Sequence, residues 1–168
     1  MLAYGRGDAA AFETLYRRHR GPLYRFVLRA VKQRSAAEEL FQEVWIRVIE
    51  SRSRYAPQAR FTTWLYTIAH NLLVDHWRKK GLSLVSLDAQ DLPLDSADPA
   101  RQAEARQSLG RFLDILEKLP PAQREAFLMR EEAGLTAAEI AAATGTNEEA
   151  AKSRLRYAMA KLKAALDE

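Results

Sequence analysis

An all-α chain of two small helical units is what this sequence predicts, and three observations carry that reading. Apolar residues recur at intervals of three and four along most of the 168 residues, the period of a helix with one buried stripe and not the alternation of a strand. Serine or threonine followed three residues later by glutamate stands before several stripes, the spacing at which the two side chains can bond the first free backbone N–H groups. Between residues 81 and 104 the period gives way to GLSLVSLDAQDLPLDSADPARQAE, with four aspartates and two prolines. That composition describes a flexible acidic linker, dividing the chain into units 1–80 and 105–168.

The composition bounds the function classes. Hydrophobic residues make up 48% of the chain, enough for real cores and too many for a disordered protein. No apolar run approaches the ~18 residues of a membrane span, and the amino terminus, MLAYGRGDAAAFETLYRR, lacks the apolar core of a signal peptide. A cytoplasmic protein without membrane insertion is expected. With 0 cysteines there is no disulfide framework, thiolate metal site or cysteine redox switch, so any such sensing must sit in a partner. The net charge of +4 is unevenly spread: residues 1–80 carry 15 Lys+Arg against 7 Asp+Glu, residues 81–104 carry 1 against 5, and residues 105–168 carry 10 against 10. A basic block, an acidic connector and a neutral block suggest two nucleic-acid-binding units.

In chain order, Phe12, Leu15, Tyr16 and His19 share a helical face, which Gly21 and Pro22 are expected to interrupt. A second helix then buries Leu23, Phe26, Val27, Ala30 and Val31. A third starts from a Ser35 to Glu38 capping box and runs to about Glu50, with Leu40, Phe41, Val44, Trp45 and Val48 inward and Glu38, Glu39, Gln42 and Glu43 on an acidic outer face. That face is either solvated or meets a positive partner. The loop SRSRYAPQAR, Ser51 to Arg60, follows, and its Tyr55 either packs locally or stacks on a base. A fourth helix buries Trp64, Leu65, Ile68, Ala69, Leu72, Leu73 and Trp77, turns Thr67, His70, Asn71 and Arg78 to solvent, and ends in Arg78, Lys79 and Lys80. His70, Asp75 and His76 make no metal site, because His70 and Asp75 lie five apart on a helix and no further ligand cluster appears.

Beyond the linker, Leu109, Phe112, Leu113, Leu116 and Leu119 form an amphipathic helix that stops before Pro120, and Pro121 opens another carrying Phe127, Leu128 and Met129. Two further helices read as a helix-turn-helix: Thr136 and Glu139 box the first, Gly145 ends it, and Thr146 and Glu149 repeat the box before the second. Ala151, Leu155, Met159, Leu162 and Leu166 supply the second helix's apolar stripe. Lys152, Arg154, Arg156, Lys161 and Lys163 make its other faces positive, as a helix among phosphates requires. A plain helical hairpin with a solvated basic face is the alternative.

ELFQEVW, FTTWLYTIAHNLLVDHWRKK, LPPAQREAFLMREEAGLTAAEIA and KSRLRYAMAKL, in this order and spacing, resemble the extracytoplasmic-function group of bacterial RNA polymerase sigma factors. The resemblance implies that residues 1–80 are sigma domain 2 and residues 105–168 sigma domain 4. It implies that Glu39, Leu40, Gln42 and Glu43 dock on the clamp coiled coil of core RNA polymerase and that the last domain meets its flap tip. Promoter DNA would be held at the minus-10 element by Tyr55, Arg60, Asn71, Arg78 and Lys79. The minus-35 element would be read by Lys152, Ser153, Arg154, Arg156 and Tyr157. Relatives in this group are commonly held by an anti-sigma factor, so one is an expected partner.

The chain departs from the pattern at informative places. Many relatives read GTVKSRLxRAR where this chain has EAAKSRLRYAM, so Ala150, Tyr157 and Met159 stand where DNA-contacting residues are expected and Glu149 adds an acid near the groove. Weaker or altered minus-35 reading follows. The expected activity is promoter recognition and strand opening without catalysis, cofactor or metal. A stand-alone helix-turn-helix repressor is the alternative reading, and a nucleic-acid enzyme is disfavoured because no nucleophile or metal constellation stands out.

Overall fold

The computed structural model describes residues 1–81 and 103–166, the side chains of the second stretch over 110–164. The described residues form eight helices: α1 Leu2–Gly5, α2 Ala9–Val31, α3 Arg34–Glu50, α4 Phe61–Lys79, α5 Ala103–Lys118, α6 Pro121–Ala133, α7 Ala137–Thr144 and α8 Glu148–Leu166. The expected linker, 81–104, lies almost wholly outside the described residues, as do the side chains of Leu109 and Leu166.

In the amino-terminal unit the stripes of α2, α3 and α4 meet. Leu23, Phe26 and Val27 pack with Ala37, Val44 and Val48 and with Leu65, Tyr66, Ala69 and Leu73, all essentially inaccessible. The expected break at Gly21 and Pro22 is absent, for α2 runs unbroken through Pro22. A proline in a helix interior costs about 3 kcal/mol through a lost bond and a ring clash. Full burial of Leu23 and Phe26, each contributing about 1.5–3 kcal/mol, offsets it. Lys32 then caps the helix in the left-handed conformation, φ 59°, with its Nζ donating to the Glu117 carbonyl at 2.7 Å.

The start of α3 also differs from expectation. Gln33 and not Ser35 occupies the cap position, no side chain caps it, and Glu38 accepts instead from Arg34 Nε at 2.9 Å. On α4, Thr63 and Tyr66 are buried, whereas Trp64 and Ile68 are half-buried.

The carboxy-terminal unit closes around Leu128, Met129, Leu135, Ile140, Ala151, Ala158 and Leu162. Thr136 and Glu139 make both bonds of the expected capping box, and Gly145 ends α7 in the left-handed conformation that a side chain resists. The second box does not form. Asn147 caps α8 by accepting from the Ala150 N–H at 2.8 Å, which frees Glu149 to pair with Lys152. Ala158 continues the buried series of Ala151, Leu155 and Leu162, and Met159, expected in the apolar stripe, is 53% exposed.

The two units pack directly on one another, α2 against α6 and α4 against α7, and their cores are continuous. Separate cores joined only by a tether were the expectation from the linker. The helices of the second unit instead complete the burial of the first.

Candidate nucleic-acid interface

The promoter-facing candidates in the first unit are organised by α4. Arg60, Trp64, Thr67, Asn71, Asp75 and Arg78 recur every three or four residues, so they fall on one face of this helix. Asn71, Arg78 and Lys79 are exposed, and Arg78 is paired with Asp75 at 3.2 Å. At the amino-terminal end of that face, Tyr55 meets Trp64 edge to face with ring centroids 4.9 Å apart, and Phe61 lies beyond at 6.5 Å. Partial burial pushes the Tyr55 phenol up, so the ring is neutral and available for stacking at any physiological pH.

A 460 Å³ cleft opens beside Tyr55, bounded by Arg54, Gln58, Thr63, Trp64 and Thr67. The buried Thr63 Oγ1 on its wall has no hydrogen-bond partner among the described residues. Ala142 of α7 also lines this cleft. The helix-turn-helix unit thus reaches over the Tyr55 site, and Arg60 is occupied by Glu139 of the same unit at 3.2 Å.

The second candidate face is the outer side of α8. Lys152, Arg156 and Tyr157 are exposed and Ser153 and Arg154 half-exposed, so the five expected readers do share the solvent side of the helix. Their charge is partly compensated. Lys152 Nζ bonds Glu149 and Glu148, each at 3.0 Å, and these bonds hold its pKa above the ordinary lysine value. Arg156 lies 5.6 Å from the Tyr157 ring, which presents 54% of its surface.

Glu38, Glu39 and Gln42 are exposed on α3, while Leu40 and Glu43 are intermediate. Glu43 accepts from Arg47 Nε at 3.0 Å, one turn along. A groove of 400 Å³ runs between this face and α4, lined by Glu39, Leu40, Glu43, Leu72, His76 and Lys79 among others. Burial first, and then Lys80, lower the His76 pKa, while Glu39 opposes them. Ile46 and Ile49, which the apolar count passed over, are exposed near the same helix's end at 47% and 41%. The period of the buried stripe puts them on the outer side.

Further polar contacts between the units escaped the sequence. His70, expected in solvent, has its Nδ1 2.8 Å from Glu125 Oε1, with both side chains nearly buried. Glu132 accepts from Arg25 Nε at 2.8 Å and from Arg29 Nη1 at 3.1 Å. Arg124, 3% exposed, donates to the carbonyls of Glu117 at 2.9 Å and Ala30 at 3.3 Å. No group of three or more His, Cys, Asp or Glu suited to a metal ion occurs among the described residues, and none of their helices is long and apolar enough to cross a membrane.

Comparison with known proteins follows the same division. The family model for Sigma-70 region 2 matches residues 15–82, and the model for Sigma-70 region 4 matches residues 109–162. The chain is 37% identical to the RNA polymerase sigma factor CarQ of Myxococcus xanthus, over 100% of this chain and 96% of CarQ. It is 31% identical to the ECF RNA polymerase sigma factor SigL of Mycobacterium tuberculosis, over 96% of this chain and 92% of SigL. Among solved structures, the fold resembles the sigma factor RpoE in its complex with the anti-sigma factor NepR from Bartonella quintana. That match has a TM-score of 0.74 and 23% identity, over 94% of this chain and 97% of the other.

Proposed function

This chain belongs to the extracytoplasmic-function RNA polymerase sigma factors, which bind core polymerase and direct promoter-specific initiation, and from that premise we propose how its own residues divide the work. Residues 1–80 act as domain 2 and residues 105–168 as domain 4, with 81–104 between them. Domain 2 captures an unstacked base of the minus-10 strand on Tyr55 while Arg60, Asn71, Arg78 and Lys79 hold the strand along α4. The pairing of Tyr55 with Trp64 at the mouth of an open cleft carries this reading. Unstacking costs a few kcal/mol, and the replacement stack returns about 1–3 kcal/mol per base. Open DNA is therefore bound better than duplex, and melting is favoured by differential binding alone, with no chemical step and no cofactor.

The α8 residues Lys152, Ser153, Arg154, Arg156 and Tyr157 read the minus-35 duplex. Tyr157 offers an aromatic surface to thymine methyl groups where an arginine would favour guanine, which gives the departure a direction. On α3, Glu39, Leu40, Gln42 and Glu43 dock on a basic coiled-coil surface of core polymerase, and domain 4 engages its flap tip. The protein works in the cytoplasm, and an anti-sigma factor is its regulatory partner, the kind of partner that RpoE has in its solved complex.

The test is reconstitution. The purified chain with core polymerase should yield discrete transcripts from a genomic library, and neither component alone should do so. An autonomous repressor, the alternative to this reading, would instead protect duplex sites without core polymerase, and that result would overturn it.

A further inference from the structure

The short helix α1 carries no period and precedes residue 15, where the matched region begins. It is nevertheless anchored through Tyr4, on two sides of its ring. Tyr4 is 8% exposed and its ring lies 4.9 Å from Phe12, which in turn meets Trp45 edge on at 5.9 Å. On the other side the Arg52 guanidinium lies 5.6 Å from the Tyr4 ring.

The next residue makes a tighter contact. A Cβ at Gly5 would sit 2.8 Å from the carbonyl oxygen of Arg52, a distance that real Cβ atoms do not show. The obstructing atom is backbone, so it cannot rotate away as a side-chain tip could. Gly5 has no positive φ to accommodate, hence close approach is the one thing that its missing side chain provides. Arg52 belongs to the turn that closes α3, with its N–H on the Ile49 carbonyl and the Arg54 N–H on the Ser51 carbonyl. Tyr55 leaves that turn one residue later.

We propose that Tyr4 and Gly5 are positioning residues for the minus-10 site: α1 wedges between the aromatic core and the Ser51–Arg54 turn and so sets the height at which Tyr55 meets Trp64. This rests on the reading of Tyr55 given above. Substitution at either position displaces the turn and lowers the occupancy of the strand-capture geometry without touching the α3 face that docks on polymerase.

The full chain serves for the test, with Gly5→Val, Tyr4→Ala and Tyr4→Phe variants. Trypsin sites are mapped by mass spectrometry in the free protein, and holoenzyme is assayed on a bubbled promoter carrying 2-aminopurine in the minus-10 strand. Gly5→Val and Tyr4→Ala should speed cleavage after Arg52 and Arg54 by about threefold or more, as expected for a turn that opens locally. Both should at least roughly halve the 2-aminopurine signal that reports an unstacked base. Core association should stay within about twofold of wild type, since its determinants lie on another surface. Tyr4→Phe keeps the ring and should restore both readouts. Should Gly5→Val fail to fold, the Tyr4 pair decides alone. Unchanged 2-aminopurine signal in Tyr4→Ala overturns the positioning role, with or without faster cleavage. A Tyr55→Ala variant that gives the wild-type 2-aminopurine signal overturns the underlying minus-10 reading instead.

Discussion

Arg60 at the start of α4 and Glu139 at the start of α7 lie 3.2 Å apart, so a cation proposed for the minus-10 strand is satisfied by a carboxylate of the carboxy-terminal unit. Glu139 is also the carboxylate of the α7 capping box, and its bond from the Thr136 N–H is the main reason its pKa is lowered. Glutamine can make the same box without the charge. Glu139→Gln should therefore leave thermal stability nearly unchanged while raising the free protein's affinity for a single-stranded minus-10 oligonucleotide by up to about fivefold, the ceiling for an exposed pair worth at most about 1 kcal/mol. Fluorescence anisotropy at two salt concentrations measures this, and the gain should shrink at high salt.

Reversal of charge on α3 tests polymerase docking. Glu39→Lys with Glu43→Lys should abolish co-purification with core polymerase while leaving the helical circular dichroism spectrum unchanged, because a basic surface would then meet like charge. Retained co-purification would remove these residues from the docking surface.

Tyr55→Ala and Asn71→Ala should impair opening more than docking. On artificially bubbled templates the loss should fall on minus-10 strand binding, about 5- to 150-fold for the stack removed in Tyr55→Ala, with core association intact. Equal activity on duplex and bubbled templates for wild type and variants would exclude strand capture.

The pH dependence has a definite sign. Burial, and secondarily Arg18, lower the His19 pKa, and the ring packs 5.1 Å from Phe61. A histidine whose folded pKa lies below its unfolded value of about 6.5 binds fewer protons when folded, so its contribution is present above that pH and is lost as pH falls through the folded pKa. His76 shifts the same way. Stability should decline from pH 7 toward 5, and His19→Gln should flatten part of that slope in thermal melts. A slope unchanged in the variant would place the titration elsewhere.

What the sequence revealed and what it concealed differ in range. The Thr136–Glu139 box and the Gly145 stop depend on residues within two turns of each other, and both were legible, whereas the α4 stripe was legible only at Leu65, Ala69, Leu72, Leu73 and Trp77. The continuity of α2 through Pro22 was not, since the compensation comes from a core assembled by α3 and α4. His70 looked like a solvent residue because its partner Glu125 is 55 positions away. For the candidate site, residue types and helix faces were readable, so the α8 and α4 sets emerge on common surfaces. That Arg60 is occupied, that Ala142 lines the Tyr55 cleft and that Tyr4 and Gly5 lie against Arg52 are facts of tertiary packing without a local period.

Arg124 has a consequence for how such proteins can be recombined. Its guanidinium bonds the Glu117 carbonyl at the end of α5 and the Ala30 carbonyl at the end of α2, tying off two helix ends on opposite sides of the linker. Hybrid transcription factors assembled by joining the front half of one relative to the rear half of another are usually conceived as exchanging independent parts. Here the seam runs through a buried side chain. A graft without arginine at this position would strand the Ala30 carbonyl, at about 1–3 kcal/mol, so a working hybrid has to carry residue 124 together with the end of α2 as one unit of inheritance.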